Sequence, residues 1–196
     1  MPSVRIEQPC RPSRSLVLLA LAFAGCATTS SSKISTSSGP EQRFSMTGGG
    51  RETTALITKD GAQGPQIDVG RYDNGSTIRG TVLGQPFQLS VDEAKGAATG
   101  QWGPGPISVN LAEEENQLKV TGLIAGRPST YTASRERITG TIGQCAYDLA
   151  RQGDAYVGSR SCAGGISPVT VRFPTTILEW KPINIAILMA LVMSTP

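Results

Sequence analysis

Two turns that must agree with each other constrain this chain more than any other feature. Between residues 53 and 173 apolar and polar residues alternate, punctuated by glycine-containing turn sequences, which is the pattern of short antiparallel strands. A two-residue turn at Asn74-Gly75, a pair that tolerates positive φ, sets Ile78 opposite Arg71, Gly80 opposite Val69 and Val82 opposite Ile67. A second turn placed at Gly84-Gln85, glycine first, sets Val82 opposite Phe87, Gly80 opposite Leu89 and Ile78 opposite Val91. Both registers gather Ile67, Val69, Ile78, Val82, Phe87, Leu89 and Val91 on one face, with Thr77, Arg79, Thr81, Gln88, Ser90 and Asp92 on the other. A one-residue slip would turn every side chain over, so the agreement predicts a sheet with one buried face.

The fragment Ile78-Arg-Gly80-Thr-Val82-Leu-Gly84-Gln85-Pro86 recurs as Val120-Thr-Gly122-Leu-Ile124-Ala-Gly126-Arg127-Pro128, and in shorter form from Ile138 to Gln144. A stacked solenoid would repeat at a constant interval. These copies do not, so the fold class read here is all-β: an antiparallel meander closing as a barrel or a sandwich. Gly80, Gly122 and Gly140 fall mid-strand on the inward face, where a missing side chain permits close approach or sharp bending. A two-residue turn at Gly153-Asp154 pairs Gln152 with Ala155, Arg151 with Tyr156, Leu149 with Gly158 and Tyr147 with Arg160. It also sets Cys145 against Cys162, at a closely spaced pair suited to a disulfide.

The chain contains no histidine. That removes the commonest general base and zinc ligand, and with them a Ser-His-Asp triad or a histidine metal site. Glu113, Glu114 and Glu115 with Asn116 read as a solvated hairpin tip, since no calcium-loop spacing accompanies them. Asp92 and Glu93 are adjacent, and neighbouring strand residues point to opposite faces, so the pair does not converge on one substrate. Tyr131, Tyr147 and Tyr156 read as core or rim packing, with ligand stacking as the alternative. Gly48-Gly49-Gly50 before Arg51 lacks the Lys-Ser/Thr ending of a phosphate loop and reads as a hinge. No catalytic residue, metal ligand or cofactor is assigned. Lys and Arg are scattered along the chain, which argues against a nucleic-acid partner.

At the start, Arg5, Arg11 and Arg14 precede an apolar run from Leu16 to Ala24 that is too short to span a bilayer, and Gly25-Cys26 follow. The stretch resembles a bacterial lipoprotein signal, with Phe23 where that family usually has Leu. The resemblance covers the first 26 residues and implies that Cys26 becomes a lipid-carrying N-terminus in the cell envelope. Ala27, in place of the Asp that signals inner-membrane retention in the enteric version, implies the outer membrane. Cys10 leaves with the signal, and Cys145 and Cys162 remain as an even pair. The three Arg and one Glu of residues 1–25 leave with it, so a chain of 18 basic and 15 acidic residues approaches neutrality. Gly100-Gln101-Trp102 matches the Gly-x-Trp element of lipocalins, but it follows several strands instead of opening the first, so no pocket is carried over.

The organisation read from the sequence is a signal segment (1–25), a Ser/Thr-rich tether (26–45), a β-domain (46–173) and an apolar C-terminal segment (174–196). That last segment is a short helix or strand, ~17 Å long if Ile183 to Met193 is helical and so well short of a bilayer core. It packs on the sheet or across a barrel mouth, or docks on a partner through Trp180, Ile183, Ile185, Ile187, Leu188 and Leu191. The expected function is that of a structural or accessory lipoprotein of an envelope assembly for secretion, motility or a similar task. Its partners are then the membrane, through the anchor, and another envelope protein. The alternatives are an apolar-ligand carrier with a barrel cavity and a hydrolase with an unfamiliar site.

Overall fold

Alternation over this many short segments gives strands that each bury one face, and the computed structural model, which describes residues 42–162 and 164–194, shows how they do it. The strands are β1 (Arg43–Gly48), β2 (Arg51–Thr58), β3 (Gly61–Gln63), β4 (Ile67–Tyr72), β5 (Thr77–Val82), β6 (Gln85–Asp92) and β7 (Ala97–Trp102). They continue as β8 (Gly105–Glu114), β9 (Gln117–Ile124), β10 (Arg127–Ser134), β11 (Arg137–Ile142), β12 (Cys145–Gln152), β13 (Ala155–Cys162) and β14 (Gly165–Arg172). Each pairs antiparallel with its neighbours in sequence, and β1 pairs with β14, so the meander closes into a barrel. Closure joins the first strand to the last, so the sheet has no unpaired end strand for another protein to extend. Most inward positions are apolar and most outward ones, such as Arg79, Thr81, Gln88, Ser90, Thr99 and Gln101, are polar. That is the reverse of a barrel whose strands face lipid.

The register around Asn74 is the one its turn chemistry dictates: Val69 faces Gly80 and Ile67 faces Val82. Positive φ begins one residue earlier, at Asp73, within a 3₁₀ turn over Asp73–Gly75. The next turn is displaced. It lies at Leu83-Gly84, not Gly84-Gln85, so Val82 faces Gln85, Gly80 faces Phe87 and Ile78 faces Leu89. The error is a shift of two in pairing, which preserves the face: all seven residues assigned inward are buried. Physically, Leu83 and Gly84 both take positive φ, as a two-residue turn matching strand twist requires, and glycine occupies the second position. Ala125-Gly126 repeats this geometry. Gly49-Gly50 does so too, and closes the β1–β2 hairpin where a hinge was expected. The first strand accordingly starts at Arg43, inside the stretch read as tether.

A further copy of the recurring fragment, Ala98 to Pro104, fills the gap in the series. With it, a glycine stands mid-strand on every second strand from β5 to β13: Gly80, Gly100, Gly122, Gly140 and Gly158. A Cβ on any of these would lie 2.0–2.3 Å from a carbonyl oxygen of the preceding strand. No side chain fits there, and the glycines let the sheet coil tightly enough to close.

Eight strands enclose a space that side chains alone can fill, and diameter grows with strand number, so fourteen leave a lumen. Here the lumen holds a helix. After β14 the chain crosses one end of the barrel through a 3₁₀ turn (Thr175–Glu179) and enters as α1 (Pro182–Met193). Pro182 opens the helix, where its missing N–H costs nothing. Ten of its twelve residues are buried, Asn184 among them. A helix apolar on all sides is stable in water only when it is enclosed on all sides, and the barrel encloses it.

Candidate functional site

The lumen was the candidate for a ligand cavity, and its geometry follows from which side chains reach α1. Phe87, Val109, Val120 and Tyr131 from the wall meet Ala186, Ile187 and Leu191 on one side of the helix, leaving a gap of about 10 Å³. That is room for about one water and not for a ligand. Tyr131 donates its hydroxyl to the Ala186 carbonyl at 2.6 Å, and Tyr147 donates to the Met193 carbonyl. Burial pushes the Tyr131 hydroxyl far above its ordinary range. Burial also raises Tyr147, against the pull of Arg160 beside it. Both tyrosines read as packing residues do so here, and each also fixes the helix by its backbone.

At the entry end Trp180 lies under the Arg71 guanidinium, 4.5 Å from its ring centre, and donates from Nε1 to the Thr58 carbonyl at 2.9 Å. Burial lowers Arg71, while Asp60 and Glu93 raise it. Lys181 pairs with Glu93 just outside. Trp180, Ile183, Ile187, Leu188 and Leu191 are thus buried, and Ile185 is half-buried. The surface on which these residues pack is the barrel's own inner wall. Asn184 carries the exception to apolar packing: its amide oxygen and nitrogen are buried with no hydrogen-bond partner among the described residues.

Cys145 and Cys162 form a disulfide with Cα atoms 4.2 Å apart. The predicted pairs Gln152–Ala155, Arg151–Tyr156, Leu149–Gly158 and Tyr147–Arg160 are all present. The bridge sits on the rim of the exit end, where α1 finishes at Ser194. This end is an open recess of about 590 Å³, floored by Trp102, Ile124 and Ile142 and flanked by Arg51, Arg127 and Arg160. Trp102 is fixed by an Nε1–H bond of 3.0 Å to the Val82 carbonyl. None of the described residues that line the recess is acidic.

Scattered in sequence, the three arginines converge because an up-and-down barrel brings every second turn to the same end. Arg51 and Arg127 each follow a turn glycine, Gly50 and Gly126, at the same point of the hairpin repeat. That shared offset was a readable signal. The acidic tip lies at the opposite end, with Glu114 paired to Gln117 across the β8–β9 turn and Lys119 3.6 Å from the Glu114 carboxylate. Asp92 binds Lys95 and Glu93 binds Lys181, so the two adjacent acids serve different partners. Among the described residues no three His, Cys, Asp or Glu side chains group as metal ligands. No described helix is long and apolar enough to cross a membrane. Cys26 and the signal segment lie outside the described residues.

Fold and site together define a closed antiparallel β-barrel with an internal helix, stapled at one rim by a disulfide. Beyond that class, comparison with known proteins finds no matching family model, curated protein or solved structure.

Proposed function

We propose that this chain is a lipid-anchored accessory protein of the bacterial envelope that acts through its outer surface. The observation that carries the surface-acting part is the filled lumen: α1 occupies the space a carried ligand would need, leaving about 10 Å³ beside it. The anchor rests on the resemblance of residues 1–26 to a lipoprotein signal, and the polar outer wall fits a domain held outside the bilayer. The Ser/Thr-rich sequence between Cys26 and β1 has the composition of a linker that would keep the barrel within reach of other envelope components. Mass spectrometry of the native protein will find a multi-chain lipid on Cys26, and Cys26→Ser will move the barrel from the membrane to the soluble fraction. An unmodified Cys26, or a Cys26→Ser protein that stays on membranes, would remove the anchor from the reading.

A second reading, an apolar-ligand carrier, draws on the closed apolar wall and requires α1 to leave the lumen. Saturable uptake of a fluorescent fatty acid by the full-length protein would favour it over surface action.

A further inference from the structure

The recess at the exit end brings three arginines to one concave surface. Several arginines elsewhere are engaged: Arg137 pairs with Asp148 at 2.7 Å and Arg172 with Asp154 at 3.4 Å. Arg71 donates to the Lys59 carbonyl at 2.7 Å, and Arg79 stacks on Tyr72. In the recess, Arg160 stands beside the Tyr147 hydroxyl that holds the last turn of α1. Arg51 and Arg127 have no side-chain partner among the described residues, and none of the described residues lining the recess is acidic. Two such guanidiniums over a concave, partly apolar floor make a local positive potential. The floor is rigid. Trp102 is hydrogen-bonded to β5, the rim carries the disulfide, and both arginines stand next to tight glycine turns.

From this the geometry points to a binding site for a sugar-sized ligand bearing a phosphate. A guanidinium presents two parallel N–H groups to phosphate oxygens, which gives orientation as well as attraction. A volume of about 590 Å³ lies within the usual range for small-molecule pockets and exceeds what a bare phosphate would need. The concavity favours a discrete ligand that enters over a flat lipid surface that rests on the rim. The described residues that line the recess all follow Gly48, and β1 starts at the opposite end of the barrel.

The test is calorimetric titration of the full-length protein with glucose 1-phosphate, with neutral glucose and phosphatidylglycerol vesicles as parallel arms. Glucose 1-phosphate will bind saturably, more weakly as salt screens the charges, and glucose will not. The double variant Arg51→Gln/Arg127→Gln will lose about tenfold or more in affinity, since each substitution removes a charge-assisted contact. Its melting temperature will be unchanged, both side chains being exposed. Arg135→Gln, near the opposite end, will bind as the parent does. Failure of glucose 1-phosphate to saturate, equal binding by the double variant, or association with the vesicles alone would each overturn the proposal.

Discussion

Leu188→Ala tests whether α1 is enclosed by the barrel or merely rests on it. Leu188 is 1 % exposed and sits in the middle of a helix of which ten of the twelve residues are buried. Truncating a core leucine costs about 2–5 kcal/mol, the spread reflecting how far the surroundings collapse into the space left. A wall of fourteen strands joined in a closed ring of hydrogen bonds cannot fold inward at one point without breaking ladder bonds. The cost therefore falls in the upper part of the range, ~3–5 kcal/mol. For a domain of this size that lowers the melting temperature by roughly 6–20 °C. Urea titration followed by circular dichroism gives the same quantity as a lower midpoint at unchanged slope. Ile185→Ala is the internal control, because Ile185 is the half-buried position on the same helix and loses at most ~1–2 kcal/mol. If the two variants unfold at the same urea concentration, α1 is not encircled and the argument fails.

Two further outcomes follow from the hydroxyls and the disulfide. Burial raises the folded-state pKa of Tyr131, Tyr147 and Tyr156, so above the ordinary tyrosine value of about 10 the unfolded chain loses protons that the folded chain keeps. Stability is therefore fully present below that pH and falls as pH rises through it, and Tyr131→Phe will flatten the alkaline limb of a pH–stability curve. An unchanged limb would show that Tyr131 ionises freely. Replacing Cys145 and Cys162 with serine removes a cross-link over 17 residues and will lower stability by about 3 kcal/mol in urea titrations. A loss under 1 kcal/mol would place the bridge's effect elsewhere than in the unfolded chain.

What the sequence determined by itself is what depends on period and on local turn chemistry. A strand alternates with a period of two, so the inward set from Ile67 to Val91 could be read even though one turn was placed a residue late: the resulting two-residue shift conserves the face. Aligning the repeat on Val82, Ile124 and Ile142 would have corrected it, since all three precede the turn at the same offset. The hairpin at Gly153-Asp154 was legible in full because its turn and its two cysteines specify one register. Closure was not legible, because whether a meander curls into a barrel depends on strand number and tilt summed over the whole sheet. The destination of α1 was not legible either. An apolar helix without a polar face fits a partner's groove as well as a lumen, and only a closed wall wide enough to hold it decides between them. The convergence of Arg51, Arg127 and Arg160 belongs to the same class: residues from three separate hairpins meet because alternate turns of a closed meander share one end.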